Sequence, residues 1–317
     1  MMETGEIDMN GSTWPKTDII IIGAGPAGIA AGIQLRRYGL DVLVLEKDSP
    51  GGLLHEANFV ENYPGFPEGI SGTKLVSLLI DHLDGAGVRR FTDIEITSVD
   101  YRDGSFILGT SADPRAYSSR FLVIATGTIP NPQAIPPVSD QWGRVLNGVR
   151  DLIKGGIGDC TIAIVGGGDA AFDYSLGLTR NDELRKNTIH ILNRSSHVKC
   201  LPLLWDRARN NERINYHKDT SIIRMTATKE TLHLLLQSPG RTWELETDYL
   251  IYAIGRRPNL DFLSNTLRER LDDLRKEGLL YLVGDVGNGI HRQAAIAVGQ
   301  GIEAAMRIAE IFPEPKE

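Results

Sequence analysis

Short apolar runs, bounded by glycine or polar residues, alternate along this chain with longer stretches whose apolar positions follow helical spacing. Residues 18–22 form one such run; a helix-compatible stretch follows over 27–38, then a second run over 41–45. A short unbroken apolar run reads as a strand covered on both faces, and strand–helix–strand alternation reads as a parallel βαβ unit. The order returns at 161–165, a helix-compatible stretch, and 188–192. Between the units, an amphipathic helix is predicted over 71–85. Strands are predicted over 95–101, 105–109 and 116–121, and a buried strand over 121–125 meets a turn at Thr126-Gly127. Alternating segments at 222–225, 231–237 and 242–245 predict an antiparallel meander, and residues 280–283 lead to a final helix over 292–312. A proline-rich stretch over 130–137 and the segment 252–258 read as the outward and return hinges. The expectation is an α/β chain of two Rossmann-like, three-layer ββα units, one inserted into the other. Residues 1–16 form a disordered arm, 17–130 and 256–317 one discontinuous domain, and 131–255 the inserted one.

The turns inside the two βαβ units carry the chemistry. They read Gly23-Ala24-Gly25-Pro26-Ala27-Gly28 and Gly166-Gly167-Gly168-Asp169-Ala170-Ala171. In such a turn the first glycine makes the bend, the second lets backbone approach a pyrophosphate, and the third position lets helix pack on strand. The phosphates then meet a helix N-terminus, where free N–H groups and the dipole favour negative charge. One glycine-rich turn is weak evidence; two, each after a strand and before a helix, point to two nucleotide cofactors and electron transfer between them. Glu46 ends the second strand of the first unit, 18 residues after Gly28. An acidic side chain there accepts from both ribose hydroxyls and disfavours a 2′-phosphate, so the first site is expected to take FAD or NAD. The glycine- and proline-marked residues 51–67 form a long loop of the kind that carries function, with His55 inside it as a histidine of the surface or of the ring site.

Composition narrows the class. The 317 residues suffice for two ordinary domains, and 41% apolar with 24% charged residues is the balance of a soluble globular protein. No apolar run approaches the roughly 20 residues of a membrane helix, and residues 1–16 are polar, without the features of a signal peptide. A cytoplasmic protein with no membrane partner is expected. The net charge of −7 argues against nucleic acid. The two cysteines, Cys160 before one strand and Cys200 after its neighbour, fall at opposite ends of a parallel sheet, too far apart for a disulfide. The pairs Arg36-Arg37, Arg89-Arg90 and Arg256-Arg257 read as solvated charges first and as a docking patch for an acidic partner second.

These landmarks resemble a family. The first fingerprint, Gly51-Gly52, Val60-Glu61-Asn62-Tyr63-Pro64-Gly65, Ala125-Thr126-Gly127, the second fingerprint, Ala253-Ile254-Gly255, Gly284-Asp285 and Arg292-Gln293-Ala294 follow the order found in low-molecular-weight thioredoxin reductases and in thioredoxin-reductase-like ferredoxin–NADP reductases. The resemblance implies FAD at the first site, held by Gly23, Gly25, Pro26, Ala27, Gly28, Glu46, Lys47, Gly52, Leu53 and Asn62. It adds Ala125, Thr126 and Gly127, then Gly284, Asp285, Arg292, Gln293 and Ala294. Asp285 would bind the ribityl–pyrophosphate region, Asn62 would lie near the flavin, and Gln293 and Ala294 would meet the pyrimidine edge of its ring. At the second site it implies NADPH or NADH, held by Gly166, Gly168, Asp169, Ala170, Asn193, Arg194, Ser195 and Lys199. One basic position of the NADPH-specific members is lost to Ser195, so the lean toward NADPH is slight. No metal and no catalytic acid or base is implied, and a homodimer is expected.

One departure decides the reading. Thioredoxin reductases carry a redox-active Cys-x-x-Cys whose second cysteine precedes the second fingerprint by 14 residues; here the two positions are Val149 and Leu152. The expectation is therefore an FAD-dependent NAD(P)H oxidoreductase without a dithiol. It would pass electrons to an external acceptor such as a ferredoxin, a flavodoxin or an iron–sulfur enzyme, including one of a radical, lipoate or sulfur pathway. The alternatives are a reductase of a small-molecule or disulfide substrate, and a non-catalytic flavoprotein sensor or assembly subunit.

Overall fold

The computed structural model describes residues 16–133, 143–180 and 186–312. The arm expected over 1–16 lies outside them, save for Lys16, which opens the first strand, and so do residues 134–137 of the proline-rich stretch. The first sheet runs in the order Arg89–Phe91, Val42–Leu45, Lys16–Ile22, Tyr117–Ile124, Ser105–Thr110, Ile96–Arg102. The first four strands are parallel and the last two turn back antiparallel. Side chains alternate across it: Ile19, Ile21, Val42, Val44, Phe121 and Val123 pack with the helices Pro26–Arg37 and Ala294–Ile311, while Ile20, Ile22, Leu43, Leu45, Leu122 and Ile124 pack with Phe106, Leu108 and Val99 of the antiparallel strands. The result is a three-layer stack of meander, parallel sheet and helices. The two helices cross so closely that a Cβ on Gly301 would sit 2.2 Å from the Ala27 carbonyl oxygen.

The two segments expected at 116–121 and 121–125 are one strand, Tyr117–Ile124. Its polar middle stays extended because Ser119 pairs with Thr17 on one side and Phe106 on the other. One edge of this strand serves two neighbours, since residues 122–124 pair with Leu280–Leu282 beyond the end of the meander. Ser71 caps the helix Gly72–Gly85 by accepting from the Lys74 N–H, as the Ser/Thr preference at such positions predicts.

The second sheet is wholly parallel, in the order Ile214–His217, Thr188–Leu192, Thr161–Val165, Tyr249–Tyr252, Val145–Leu146. The helix Asp169–Leu178 covers one face and the meander Ser221–Ala227, Leu232–Ser238, Arg241–Thr247 the other. The chain leaves the first unit through Thr128–Pro130 and returns through Arg256–Pro258, which pair antiparallel. The fold is thus two Rossmann-like units, the second inserted into the first. The short strand Arg89–Phe91 and the helices Arg150–Gly155, Pro202–Arg209, Asn265–Glu269 and Leu271–Lys276 were not legible in the pattern, each being too short for its period to repeat often enough to be read. Among the described residues no helix is long and apolar enough to cross a membrane.

The arginine pairs are engaged within the chain: Arg36 with the Leu40 carbonyl, Arg37 with Gln34, Arg89 with Asp41, Arg90 with Asp84, Arg256 with Thr128 and Arg257 with Asp261. Arg89, Arg90 and Arg257 are held in ion pairs, whereas Arg36, Arg37 and Arg256 bond neutral groups.

At the edge of the second sheet, the rings of His190 and His217 stack 5.3 Å apart with Nδ1 of one 3.0 Å from Nε2 of the other. Burial, and then the neighbouring His217, push the pKa of His190 down to about 4. The unfolded chain binds a proton at this residue near pH 6.5, the folded chain only near 4, so the pair's contribution is complete above 6.5 and is lost as pH falls toward 4. A loss of about 1–2 kcal/mol is expected across that window, the exposed edge of the pair screening the rest. His190→Gln should flatten it in urea midpoints measured against pH.

Candidate functional site

The turn after the strand Lys16–Ile22 opens onto a cavity of about 830 Å³, within the range of small-molecule and cofactor sites. Gly25 is the N-cap of the helix Pro26–Arg37; its backbone is extended, no side chain caps the helix, and a Cβ there would meet nothing within 4 Å. Pro26 carries no N–H, so this uncapped end, open beside Gly25, offers a phosphate the donors of the residues around it, the arrangement of an anion site. Gly23, Gly25, Pro26 and Ala27 lie on the wall. Gly28 does not: a Cβ on it would fall 1.9 Å from the Gly23 carbonyl oxygen, so it is a packing glycine.

Glu46 is buried on the wall, with one carboxylate oxygen accepting from the Ala24 N–H at 2.7 Å and the other from the Asp48 N–H at 3.0 Å. It braces the glycine turn while facing the cavity. Lys47, Gly52, Leu53, Asn62, Ala125, Thr126, Gly127, Gly284, Asp285, Arg292, Gln293 and Ala294 share the same wall. Asn62 Nδ2 donates to Gln293 Oε1 at 2.8 Å, joining the loop to the last helix, and Thr126 donates to the Asn259 carbonyl. Burial raises the pKa of Asp285, opposed by Arg292 and Arg256. Arg292 Nη1 donates to the Arg256 carbonyl, but its Nε is buried without a partner. An uncapped helix N-terminus and an orphaned guanidinium donor on one cavity fit a diphosphate-bearing ligand such as FAD. His55 is not on the wall; its Nε2 lies 2.8 Å from the Pro50 carbonyl oxygen, and it braces the loop.

The second turn repeats the first. Gly168 is the extended, uncapped N-cap of Asp169–Leu178, with open space where a Cβ would stand. Asp169 is drawn aside to accept from the Leu201 N–H, and Ala170 is exposed in the first helical turn. Gly166 packs on the Ala253 carbonyl. Asn193 is buried and its amide is engaged within the chain: Nδ2 donates to the His197 carbonyl and to Tyr216 Oη, and Oδ1 accepts from the Ser195 N–H. It shapes the loop rather than facing a ligand. Ser195 Oγ accepts from the His197 N–H, and the Lys199 N–H donates to the Gly167 carbonyl, which brings the loop beside the glycine turn. The side chains of Arg194 and Lys199 are exposed there.

Residues 17–301 match the pyridine nucleotide-disulphide oxidoreductase family. The chain belongs to that family. Its relatives include NADPH-dependent thioredoxin reductase 3 of Arabidopsis thaliana, 30% identical over 91% of this chain and 57% of that one. The bifunctional thioredoxin reductase/thioredoxin of Mycobacterium leprae is 28% identical over 91% and 64%, and the thioredoxin reductase of Chlamydia pneumoniae 29% over 91% and 96%. The chain thus spans less than two thirds of the first two. Among solved structures, Lactococcus lactis thioredoxin reductase in its FR conformation covers 93% of this chain and 100% of its own, at 25% identity and a TM-score of 0.78. The family uses FAD and NADPH.

Val149 and Leu152, the positions to which the resemblance assigns a dithiol, are 1% and 4% exposed and lie in the core of the inserted unit with Ile162, Ile164 and Phe172. Cys160 and Cys200 are free thiols, and neither is on the cavity wall. Burial, then neighbouring carboxylates, raise both thiol pKa values, the opposite of an activated thiol. Reasoning from motifs missed other wall residues, notably Glu56, Phe59, Asn259, Arg150 and Asp173. The last two come from the inserted unit, and no local pattern reports such an approach.

Proposed function

We propose that the chain is an FAD-dependent NAD(P)H oxidoreductase that lacks a redox dithiol and hands electrons to an external acceptor, with an iron–sulfur protein, ferredoxin or flavodoxin as the leading class. The observation that carries this reading is the burial of Val149 and Leu152 where a dithiol would have to stand. Residues 17–130 and 256–317 would form the FAD domain and 131–255 the nicotinamide domain. Bound FAD would supply a two-electron acceptor facing the nicotinamide. The Gly25 turn and Arg292 would hold its diphosphate, Glu46 its adenosine ribose and Asp285 its ribityl chain, while Asn62, Gln293 and Ala294 would meet the ring. Gly168 and the helix behind it would hold the second diphosphate, and Arg194 with Lys199 would receive a 2′-phosphate.

The exposed pair makes a separate prediction. Neutralising both in R194Q/K199Q should raise the KM for NADPH about tenfold, as expected for losing charge-assisted phosphate contacts, and leave that for NADH unchanged. Acceptor choice is tested by anaerobic turnover with NADPH against ferredoxin, flavodoxin, thioredoxin and small disulfides. Turnover with ferredoxin or flavodoxin and none with thioredoxin is expected; turnover with thioredoxin or with disulfides alone would overturn the acceptor assignment.

A further inference from the structure

Residues 48–61 of the first unit lie against the inserted unit through a set of polar bridges. Arg150 Nη1 donates to Asp48 Oδ2 at 2.5 Å and its other Nη to Ser49. Arg207 grips Glu61 with both Nη atoms, at 2.6 and 2.9 Å. The Asn58 N–H donates to Asp173 Oδ2 at 3.0 Å, and Tyr174 Oη donates to Glu56 Oε2 at 2.6 Å. The approach at Glu56 is tight, since a Cβ on Gly148 would stand 2.3 Å from its carboxylate. Against this, the two chain crossings between the units pair over only three residues each. Domains joined so thinly move relative to one another unless something holds them.

We propose that Arg150 and Arg207 are positioning residues: a two-point electrostatic clasp that holds the inserted unit in the arrangement where Asp173, on the helix of the second fingerprint, forms part of the wall of the FAD cavity. Arg150 stands between Val149 and Leu152, so the segment that carries a dithiol in thioredoxin reductases is here a strap. The inference rests on the proposed transfer from nicotinamide to FAD, which needs the two sites face to face. Asp48 and Arg150 also line the cavity, whereas Glu61 and Arg207 do not, so the second pair acts on the arrangement without touching the cofactor. A single exposed ion pair shifts an equilibrium only a few-fold, and two bridges must be reversed together to read the effect.

The test compares the wild-type holoprotein with R150D/R207E and with D48R/E61R/R150D/R207E, in which both pairs are restored with inverted sign. Three measurements are made: the limiting rate of flavin reduction by NADPH, the rate of flavin reoxidation by ferricyanide, and small-angle X-ray scattering of the FAD-loaded protein. The double reversal should reduce about tenfold more slowly and scatter as a larger particle, by about 1 Å in radius of gyration; R207E alone, whose pair is off the cavity wall, should keep the wild-type reoxidation rate. The quadruple variant should regain reduction to within about threefold and recover wild-type scattering. A double reversal that reduces and scatters like wild type, or a quadruple variant no better than the double, overturns the clasp. Wild-type flavin that NADPH fails to reduce would overturn the proposed function instead, and the scattering then judges the clasp by itself.

Discussion

Gly25→Ala is expected to give a folded protein that has lost about a hundredfold in affinity for FAD, whereas Gly28→Ala is expected to lose the fold around the cavity. The two glycines stand three residues apart in one turn and answer to different physics. A Cβ on Gly25 meets nothing in the protein, and its backbone, at φ −74° and ψ −177°, suits alanine. The methyl group would instead occupy the space that a diphosphate must enter to reach the helix N–H groups. Losing one or two charge-assisted hydrogen bonds, each about 1.5–3 kcal/mol, gives that hundredfold. A Cβ on Gly28 lies 1.9 Å from the backbone oxygen of Gly23, which cannot swing away as a side chain can. The helix must then leave the strand, at a cost of about 3 kcal/mol or more. Flavin absorbance of the purified protein and denaturation midpoints of the FAD-free protein separate the outcomes: colourless but stable for Gly25→Ala, destabilised for Gly28→Ala.

Leu152→Ala is expected to destabilise the inserted unit by about 2–4 kcal/mol, the cost of a cavity in a packed core. Leu152 lies against the strands and helix of that unit on the short helix Arg150–Gly155. A position built for redox chemistry would tolerate a small side chain, because a thiol there must reach both a flavin and a partner. Urea midpoints read the loss directly. By the same reasoning, V149C/L152C should gain no activity with oxidised thioredoxin, since the new thiols would replace core side chains. A thioredoxin-reducing double variant would mean that this segment can present its side chains to solvent and partner.

Local pattern made most of the fold legible. The strands at 161–165 and 188–192, the three-stranded meander and the first and last helices are written in runs and alternations that span the whole element. The site was legible where chemistry is tied to a turn: Gly25, Glu46, Asp285 and Gln293 all reach one cavity. Legibility failed where a residue acts across the chain. Asn193 ends a strand at the place of a ribose ligand, yet Tyr216 and the 195–197 backbone claim its amide. Arg150 and Asp173 sit in the inserted unit, and only the packing of one unit on the other brings them to the wall of that cavity. Gly28 belongs to the fingerprint in sequence and to the helix–strand contact in space.

The most direct test of a dithiol-free oxidoreductase is an anaerobic reductive titration of the FAD-loaded protein with dithionite, followed by flavin absorbance. A flavin that is the only redox group bleaches fully after about one two-electron equivalent per FAD. A flavin coupled to a dithiol consumes about two. One equivalent, with a sharp end point, is the predicted result; two equivalents would mean that a cysteine pair takes part and would contradict the account.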